Sequence, residues 1–342
     1  MPRRTPTTAL TRAYQRNLRA LTQATLGGGK RLASQMTRAA VAKNRPPPGT
    51  GDWIAGMTMG PAGARRYHLY RPAGLVLAPG EKLPLVVMLH GCGQTGRDFA
   101  ASTRMNRLAT RHRFLVLYPE QDRLANAHGC WNWFETRSGK ARAEAATLLA
   151  AVDQVSLLYP VDRERVGVAG LSAGASMAVL MATHFPSRFR AVVMHSGVAP
   201  GAAQSSATAL SAMRGRRLPA PATGVGKAMG AALVGATLPP LLILHGDADT
   251  VVTPGNAHSS AAVWASATGA ERGLSRTSQR GKRHAMRSTD YLRDGRAWIT
   301  LCEISGLGHA WSGGLASQAY SDAAGPDASA LVWAFLSRQF KV

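Results

Sequence analysis

A serine stands at the apex of a strand–turn–helix pattern near the middle of the chain. Val166 to Ala169 is a short apolar run with β-branched residues, which predicts a buried strand. Gly170-Leu171-Ser172-Ala173-Gly174 follows directly, and residues 175–183 are rich in the helix-favouring Ala, Met and Leu. Such a turn needs small neighbours and holds the hydroxyl out of the sheet, near a helix N-terminus that favours negative charge. We therefore predict that Ser172 is a catalytic nucleophile.

Apolar runs that alternate with helical segments predict an α/β fold around this turn. Strands are predicted at residues 66–71, 83–90, 114–118, 166–169, 191–195, 241–245 and 297–304. Helices are predicted at residues 106–112, 141–159, 259–266 and 328–340. This alternation indicates a mostly parallel central sheet with helices on both faces. The basic stretch 272–287 is expected to be an exposed loop.

The N-terminal region differs in composition from the remainder of the chain. Residues 1–45 contain ten Lys or Arg and no acidic residue. Apolar residues at helical spacing (Leu10, Tyr14, Leu18 and Leu21) predict a basic amphipathic helix, with a solvated, disordered extension as the alternative. We expect residues 1–50 to be an extension that ends in a Pro/Gly linker, and residues 51–342 to form a single catalytic domain. Within that domain the Ala/Gly/Ser-rich stretch 202–236 is expected to be a flexible cap or insertion.

Two further residues complete a serine hydrolase triad in the order Ser, acid, His. Asp249 follows the predicted strand 241–245, and His309 lies in a Gly-rich loop after the strand 297–304. His309 would take the proton of Ser172, and Asp249 would hold the imidazole in the required tautomer. Asp247 competes for the role of the acid. Asp249 is favoured because it lies one turn beyond the strand, where its side chain can bend back.

Acyl transfer also needs hydrogen-bond donors for the oxyanion of the tetrahedral intermediate. The backbone N–H of Ala173, which follows the nucleophile, is the first candidate. The second is expected in the loop after an early strand, and we assign it to the N–H of Cys92. Trp131, Trp133 and Trp311 are candidate substrate contacts, with packing beneath the loops as the alternative.

Several longer motifs resemble one family. They are HGCGQ at 90–94, GCWNWF at 129–134, GLSAGASM at 170–177, HGDADTVV at 245–252, GLGHAWSGG at 306–314 and YSDAAGPDASALVWAF at 320–335. Their order and sequence resemble the polyhydroxybutyrate depolymerase family of esterases, which has the α/β-hydrolase fold. The resemblance implies a serine esterase that cleaves poly(3-hydroxybutyrate) or its oligomers. Relatives that act on feruloyl or acetyl esters of plant polysaccharides supply the alternative, as does a general short-chain carboxylesterase.

The resemblance also bears on individual residues. It implies that Cys92 and Cys130 form a disulfide, whereas the lack of a recognisable signal peptide favours two buried thiols. Gln94, in the first of these motifs, is a further candidate for substrate binding. Cys302 lies inside a predicted strand and is expected to be a core residue.

The charge of the chain raises a different class of function. There are 41 Lys and Arg against 18 Asp and Glu, a net charge of +23, which attracts polyanions. A non-enzymatic granule-binding or nucleic-acid-binding protein is therefore a distant alternative, although no motif for specific nucleic-acid recognition is present. No cofactor, metal or transmembrane segment is expected. We expect a cytoplasmic enzyme whose basic extension binds the polymer granule surface, with export by an unrecognised route as the alternative.

Overall fold

Ten strands of the described chain form one mixed sheet. The computed structural model describes residues 47, 50–216, 218 and 237–341. The strands are β1 (Gly51–Gly60), β2 (Gly63–Pro72), β3 (Leu83–Leu89), β4 (Leu115–Pro119), β5 (Val161–Leu171), β6 (Ala191–His195), β7 (Leu241–Gly246), β8 (Glu271–Ser278), β9 (Met286–Arg293) and β10 (Arg296–Ile304). Their order across the sheet is β1-β2-β4-β3-β5-β6-β7-β10-β9-β8.

The centre of the sheet is parallel and both of its edges are antiparallel. Along the run β4-β3-β5-β6-β7-β10 each strand is parallel to the next. At the ends of this run, β2 is antiparallel to β4 and β9 is antiparallel to β10. The β1–β2 pair at one edge and the β8–β9 pair at the other are antiparallel. The prediction of a mostly parallel central sheet is confirmed.

Helices cover both faces of the sheet and form two buried cores. The helices are α1 (Gly96–Thr103), α2 (Met105–His112), α3 (Lys140–Leu158), α4 (Ala173–His184), α5 (Ser206–Met213), α6 (Gly255–Thr268) and α7 (Ala328–Gln339). Side chains of β3 alternate between the cores: Leu85 and Val87 pack with α3, α4 and α6, whereas Val86 and Met88 pack with α1, α2 and α7. A strand that is buried on both faces has an unbroken run of apolar residues. This is why the central strands, such as β3, could be recognised in the sequence.

The chain order of the central strands places a crevice beside the predicted nucleophile. From β3 the chain moves outward to β4, and it then returns to the other side of β3 to form β5. In open α/β sheets, ligands bind at the carboxyl ends of strands where the order reverses in this way. The loop after β3 and the turn after β5 therefore face each other across the crevice.

The expectation of an exposed loop over residues 272–287 is wrong. Strands β8 and β9 form an antiparallel hairpin there, with the turn between Ser278 and Met286. Strand β8 lies at the edge of the sheet, and nearly all of its side chains are exposed. An edge strand with two solvated faces needs no apolar residues, so it lacks the pattern by which strands are recognised.

Other differences concern three elements that the sequence pattern did not reveal. Strand β1 and helix α1 were not predicted, and helix α5 lies inside the stretch 202–236 that was expected to be flexible. Ser205 caps α5, because its hydroxyl accepts the N–H of Thr208 in a capping box. The stretch 219–236 and the segment that carries Leu10 to Leu21 lie outside the described residues.

Candidate active site

Ser172 occupies a strained turn between β5 and α4. Its backbone angles are φ 56° and ψ −120°, in a region that non-glycine residues rarely adopt. A Cβ at Gly170 would lie 2.3 Å from the carbonyl carbon of Gly174, and a Cβ at Gly174 would lie 2.1 Å from the Leu89 carbonyl oxygen. Only glycine fits at either position. Strain of this kind costs about 1–3 kcal/mol and is typical of functional sites.

Asp249 and His309 form a hydrogen-bonded pair. His309 Nδ1 lies 2.8 Å from Asp249 Oδ2, and the Asp249 side chain is fully buried. The second carboxylate oxygen accepts the N–H groups of Val251 and Val252, both at 2.9 Å. Burial alone raises the pKa of Asp249, but hydrogen bonds from His245 and His309 outweigh it and hold the pKa well below its usual range. The carboxylate is therefore ionised, and it fixes the proton of His309 on Nδ1.

The competing acid, Asp247, has a different role. It is exposed, and its Oδ1 accepts the N–H of Gly306 at 2.6 Å. This bond ties the loop after β7 to the loop that carries His309. Of the two carboxylates considered from the sequence, the structure brings Asp249 to the histidine.

His245 is a site residue that sequence reasoning missed. It ends the apolar run of β7, and its Nε2 lies 2.8 Å from the Val252 carbonyl and 3.4 Å from Asp249 Oδ2. The Val252 carbonyl can only accept, so Nε2 carries the proton and also points toward the carboxylate. The sequence feature that could have indicated this role is the position of the histidine at the end of a buried strand, four residues before Asp249.

His195 connects the serine turn with the histidine loop. Its carbonyl accepts the N–H of Ser172 at 2.9 Å, and its Nε2 accepts the N–H of Ser312 at 3.2 Å. The ring stacks on Trp311 with centroids 5.0 Å apart. Burial, together with the neighbouring His245 and His309, lowers the pKa of His195 to about 3. The ring is therefore neutral at physiological pH.

The 90–94 loop lies against the serine turn. A Cβ added to Gly91 would be 3.6 Å from Ser172 Cβ. Cys92 forms a disulfide with Cys130, with Cα atoms 4.3 Å apart, so the 90–94 loop is covalently joined to the aromatic loop 129–134. Cys302 is free and buried, and burial raises the pKa of its thiol to about 11.

Two tryptophans expected at the substrate surface are instead buried. Trp311 is fully buried between Phe99 and His195, and its Nε1 donates to Ser329 Oγ at 3.1 Å. Trp131 is also fully buried, and its Nε1 donates to the His90 carbonyl at 2.9 Å. Their position corrects the expectation of substrate contact, because these indole rings are packed into the domain interior.

Gln94 and Trp133 complete the set of residues considered from the sequence. Gln94 is buried, and its Oε1 accepts the N–H of Gly91 at 2.9 Å, so its side chain holds the loop. Trp133 lines a groove that runs along α4, together with Thr136, Ser176, Val179, Leu180, Thr183, residues 198–201, Ala203 and Gln204. The groove begins one helical turn beyond Ser172, since Ser176 Oγ donates to the Ser172 carbonyl at 3.4 Å.

Neither a metal-binding cluster nor a membrane-spanning helix is present among the described residues. No group of three or more His, Cys, Asp or Glu side chains is placed to hold a metal ion there. No helix in the same residues combines the length and the apolar character needed to cross a membrane.

Comparison with known proteins assigns the family. The model of the family described as esterase PHB depolymerase matches residues 65–277, more than half of the chain. The chain belongs to the PHB depolymerase family of esterases. The prediction made from the motifs is confirmed, and with it the assignment to a family of carboxylic ester hydrolases.

Relatives of this chain are named for different activities. Poly(3-hydroxyalkanoate) depolymerase C of Paucimonas lemoignei is 35% identical over 175 residues, which cover 51% of this chain and 42% of the relative. Feruloyl esterase B of Neurospora crassa is 29% identical over 214 residues, which cover 60% of this chain and 71% of that protein. The chain thus spans less than half the length of the depolymerase.

A solved structure supports the fold. An acetyl xylan esterase from Aspergillus awamori superposes with a TM-score of 0.62 at 21% identity, covering 76% of this chain and 94% of the esterase. At this identity the similarity shows the fold alone. The prediction of an α/β-hydrolase fold is confirmed.

Proposed function

We propose that this chain is a serine esterase that hydrolyses the ester bonds of poly(3-hydroxybutyrate) or of its oligomers through an acyl-enzyme. The observation that carries the proposal is the bond between His309 and the buried Asp249, at the same edge of the sheet as the strained Ser172 turn. A nucleophile, a base and an orienting acid in this chain order are the parts of an α/β-hydrolase triad.

Acylation follows from the tautomer that Asp249 imposes. With the proton on Nδ1, His309 Nε2 has a free lone pair and accepts the proton of Ser172 Oγ as the oxygen attacks the ester carbonyl. The carboxylate stabilises the imidazolium that forms. His309 then returns the proton to the leaving alcohol, and the acyl group remains on Ser172. Water, deprotonated by the same histidine, releases the acid in the second half of the reaction.

The charge that develops on the substrate oxygen needs donors placed in advance. Ala173 is the first residue of α4, so its N–H has no partner within the helix and lies at the positive end of the helix dipole. The N–H of Cys92 is the second proposed donor. Losing one such donor costs about a hundredfold or more in kcat.

One observation favours a hydroxyalkanoate substrate. A relative that is 35% identical to this chain is a poly(3-hydroxyalkanoate) depolymerase. The groove beside α4 has a cavity volume of only about 30 Å³ and is lined by none of the three candidate triad residues, so its lining does not distinguish one class of ester from another.

A carbohydrate ester is the second candidate. It is favoured by the feruloyl esterase relative and by the acetyl xylan esterase among the similar structures. The same triad would serve, with a different alcohol in the leaving position. The disulfide between Cys92 and Cys130 supports the export alternative for this chain, because disulfides persist in oxidising compartments.

The experiment that separates these substrates compares three esters. Release of 3-hydroxybutyrate from amorphous polymer granules is measured beside hydrolysis of p-nitrophenyl butyrate and methyl ferulate. We expect acid release from granules, and its loss in Ser172→Ala with the fold intact. Hydrolysis of methyl ferulate without release from granules would reject the polymer substrate. Removal of residues 1–45 is a further arm: we propose that it weakens granule binding and leaves p-nitrophenyl butyrate turnover unchanged.

A further inference from the structure

The two peptide groups that lead from β3 into the 90–94 loop use nearly all of their polar atoms. In the first, the His90 carbonyl accepts from Trp131 Nε1 and the Gly91 N–H donates to Gln94 Oε1, both at 2.9 Å. In the second, the Gly91 carbonyl lies 2.8 Å from His90 Nδ1 and accepts the Gln94 N–H at 3.3 Å. The remaining group is the Cys92 N–H, which has no acceptor within the part of the chain that the structure describes.

The partners of the Gly91 carbonyl determine the direction of the Cys92 N–H. A trans peptide group points its C=O and its N–H to opposite sides, and the described residues contain no cis peptide. His90 and Gln94 hold the carbonyl on one side. The Cys92 N–H is consequently directed to the other side and stays available to a substrate.

The tautomer of His90 is set by a backbone group. The N–H of Gln121 donates to His90 Nε2 at 3.1 Å, so Nε2 has no proton and Nδ1 carries it. The Nδ1–H then donates to the Gly91 carbonyl. Burial of the ring lowers the pKa of His90, which keeps this neutral form. A protonated ring would lose the acceptor for Gln121.

A buried ion pair holds Gln121 in turn. Gln121 Nε2 donates to the Cys130 carbonyl and to Glu144 Oε1, both at 2.8 Å. Glu144 pairs with Arg65 at 3.0 Å, and both side chains are only 1% exposed. The other carboxylate oxygen of Glu144 accepts the N–H of Asn132 at 2.6 Å. The same carboxylate thus connects the segment after β4 with the aromatic loop and its disulfide.

We propose that His90 is a positioning residue for the oxyanion site: its Nδ1–H orients the Gly91–Cys92 peptide, and Gln121 with the Arg65–Glu144 pair fixes its ring. The inference rests on the proposed function, because it requires Ser172 to be the nucleophile that generates the oxyanion. His90 touches no reacting atom. It acts through the backbone of Cys92.

Two conservative variants separate the contacts of the two ring nitrogens. The amide nitrogen of His90→Asn occupies the position of Nδ1 and can donate to the Gly91 carbonyl. The amide of His90→Gln reaches the position of Nε2, where it can accept from Gln121 but cannot hold Gly91. Turnover of p-nitrophenyl butyrate gives kcat and KM, and the inhibition constant of a boronic acid reports on tetrahedral adduct stabilisation.

We expect a split between kcat and KM. His90→Gln should lower kcat about a hundredfold, the cost of a lost oxyanion donor, with KM within about threefold of wild type. It should weaken the boronic acid to a similar degree. His90→Asn should recover about tenfold or more of the lost kcat. Equal kcat values for the two variants, or boronic acid affinity unchanged in His90→Gln, would overturn the proposal.

Matched controls separate positioning from a general loss of stability. Trp264→Phe removes another buried hydrogen bond, from Nε1 to the Pro239 carbonyl at 2.9 Å, which involves no residue of the 90–94 loop. It should lower Tm without changing kcat; a similar kcat loss in this variant would assign the His90 effect to stability.

Ser172→Ala tests the proposed function separately. If that variant is inactive while both His90 variants match wild type, the esterase mechanism stands and the positioning role is rejected.

Discussion

The pair Asp249–His309 at the centre of the sheet and the pair Arg276–Asp290 on the β8–β9 hairpin have similar lengths and opposite surroundings. The first pair is 2.8 Å long, with the carboxylate fully buried and the imidazole 9% exposed. The second is 2.6 Å long, and its guanidinium is 67% exposed. A charge in the buried pair cannot exchange its partner for water, whereas the surface arginine can. Because the two distances are similar, we expect the difference in burial to decide which pair has the larger effect when it is removed.

The same contrast holds for the two regions as wholes. The proposed catalytic groups follow β3, β5, β7 and β10, which are parallel strands covered on both faces. The hairpin lies at the edge of the sheet, with Leu274 93% exposed. Fixed geometry for a reaction requires side chains without freedom to move, and the centre supplies them. Three predictions test this comparison.

The largest effect is expected for the buried carboxylate. Asp249→Asn removes the acceptor that holds the His309 proton on Nδ1, and kcat should fall about 10³- to 10⁴-fold. Asp247→Asn is the matched control, since an amide oxygen can still accept the Gly306 N–H, and kcat should stay within about threefold of wild type. Steady-state hydrolysis of p-nitrophenyl butyrate provides the measurement. A reversed order would make Asp247 the acid of the triad.

A smaller effect is expected for the buried His195. Its pKa is about 3 in the folded state, against about 6.5 when unfolded, so the unfolded chain binds more protons between these values. Stability should therefore decrease as pH falls below about 6.5, and His195 should account for about 2 kcal/mol between pH 7 and pH 5. Urea unfolding of wild type and His195→Gln at both pH values measures this contribution. Equal pH dependence in the two proteins would contradict it.

The smallest effect is expected on the hairpin. Arg276→Ala removes the ion pair with Asp290 from a solvated surface, and the free energy of unfolding should change by less than about 1 kcal/mol. The turnover number should equal that of wild type. Both quantities come from the assays already described. A loss of kcat in this variant would show that the edge of the sheet contributes to the site, and the contrast between the two regions would fail.

The sequence was informative where burial imposed a pattern. The unbroken apolar runs of β3, β6 and β7 and the glycines around Ser172 indicated the parallel centre and the serine turn. Strand β8 has solvent on both faces and gave no strand signal. The proposed catalytic order of Ser172, Asp249 and His309 was predicted from their positions in loops after strands, and these loops lie at the same edge of the sheet.

The contacts that support the candidate site could not be predicted from sequence patterns. Whether Trp131 and Trp311 face a substrate or the interior depends on the packing of loops that are distant in sequence. Trp131, for example, reaches the His90 carbonyl across 41 residues of chain. The Arg65–Glu144 pair joins residues 79 positions apart. Local sequence propensities do not encode such pairings, because the two partners are far apart in the sequence.

The most direct test of the account is the site of covalent modification by a mechanism-based phosphonate ester. The reagent phosphonylates a serine that is activated by a neighbouring base, and mass spectrometry of the peptides identifies the residue. The account predicts a single adduct on Ser172, formed rapidly in wild type and at least about a thousandfold more slowly in Asp249→Asn. An adduct on another residue, or equal labelling rates in the two proteins, would contradict the central claim.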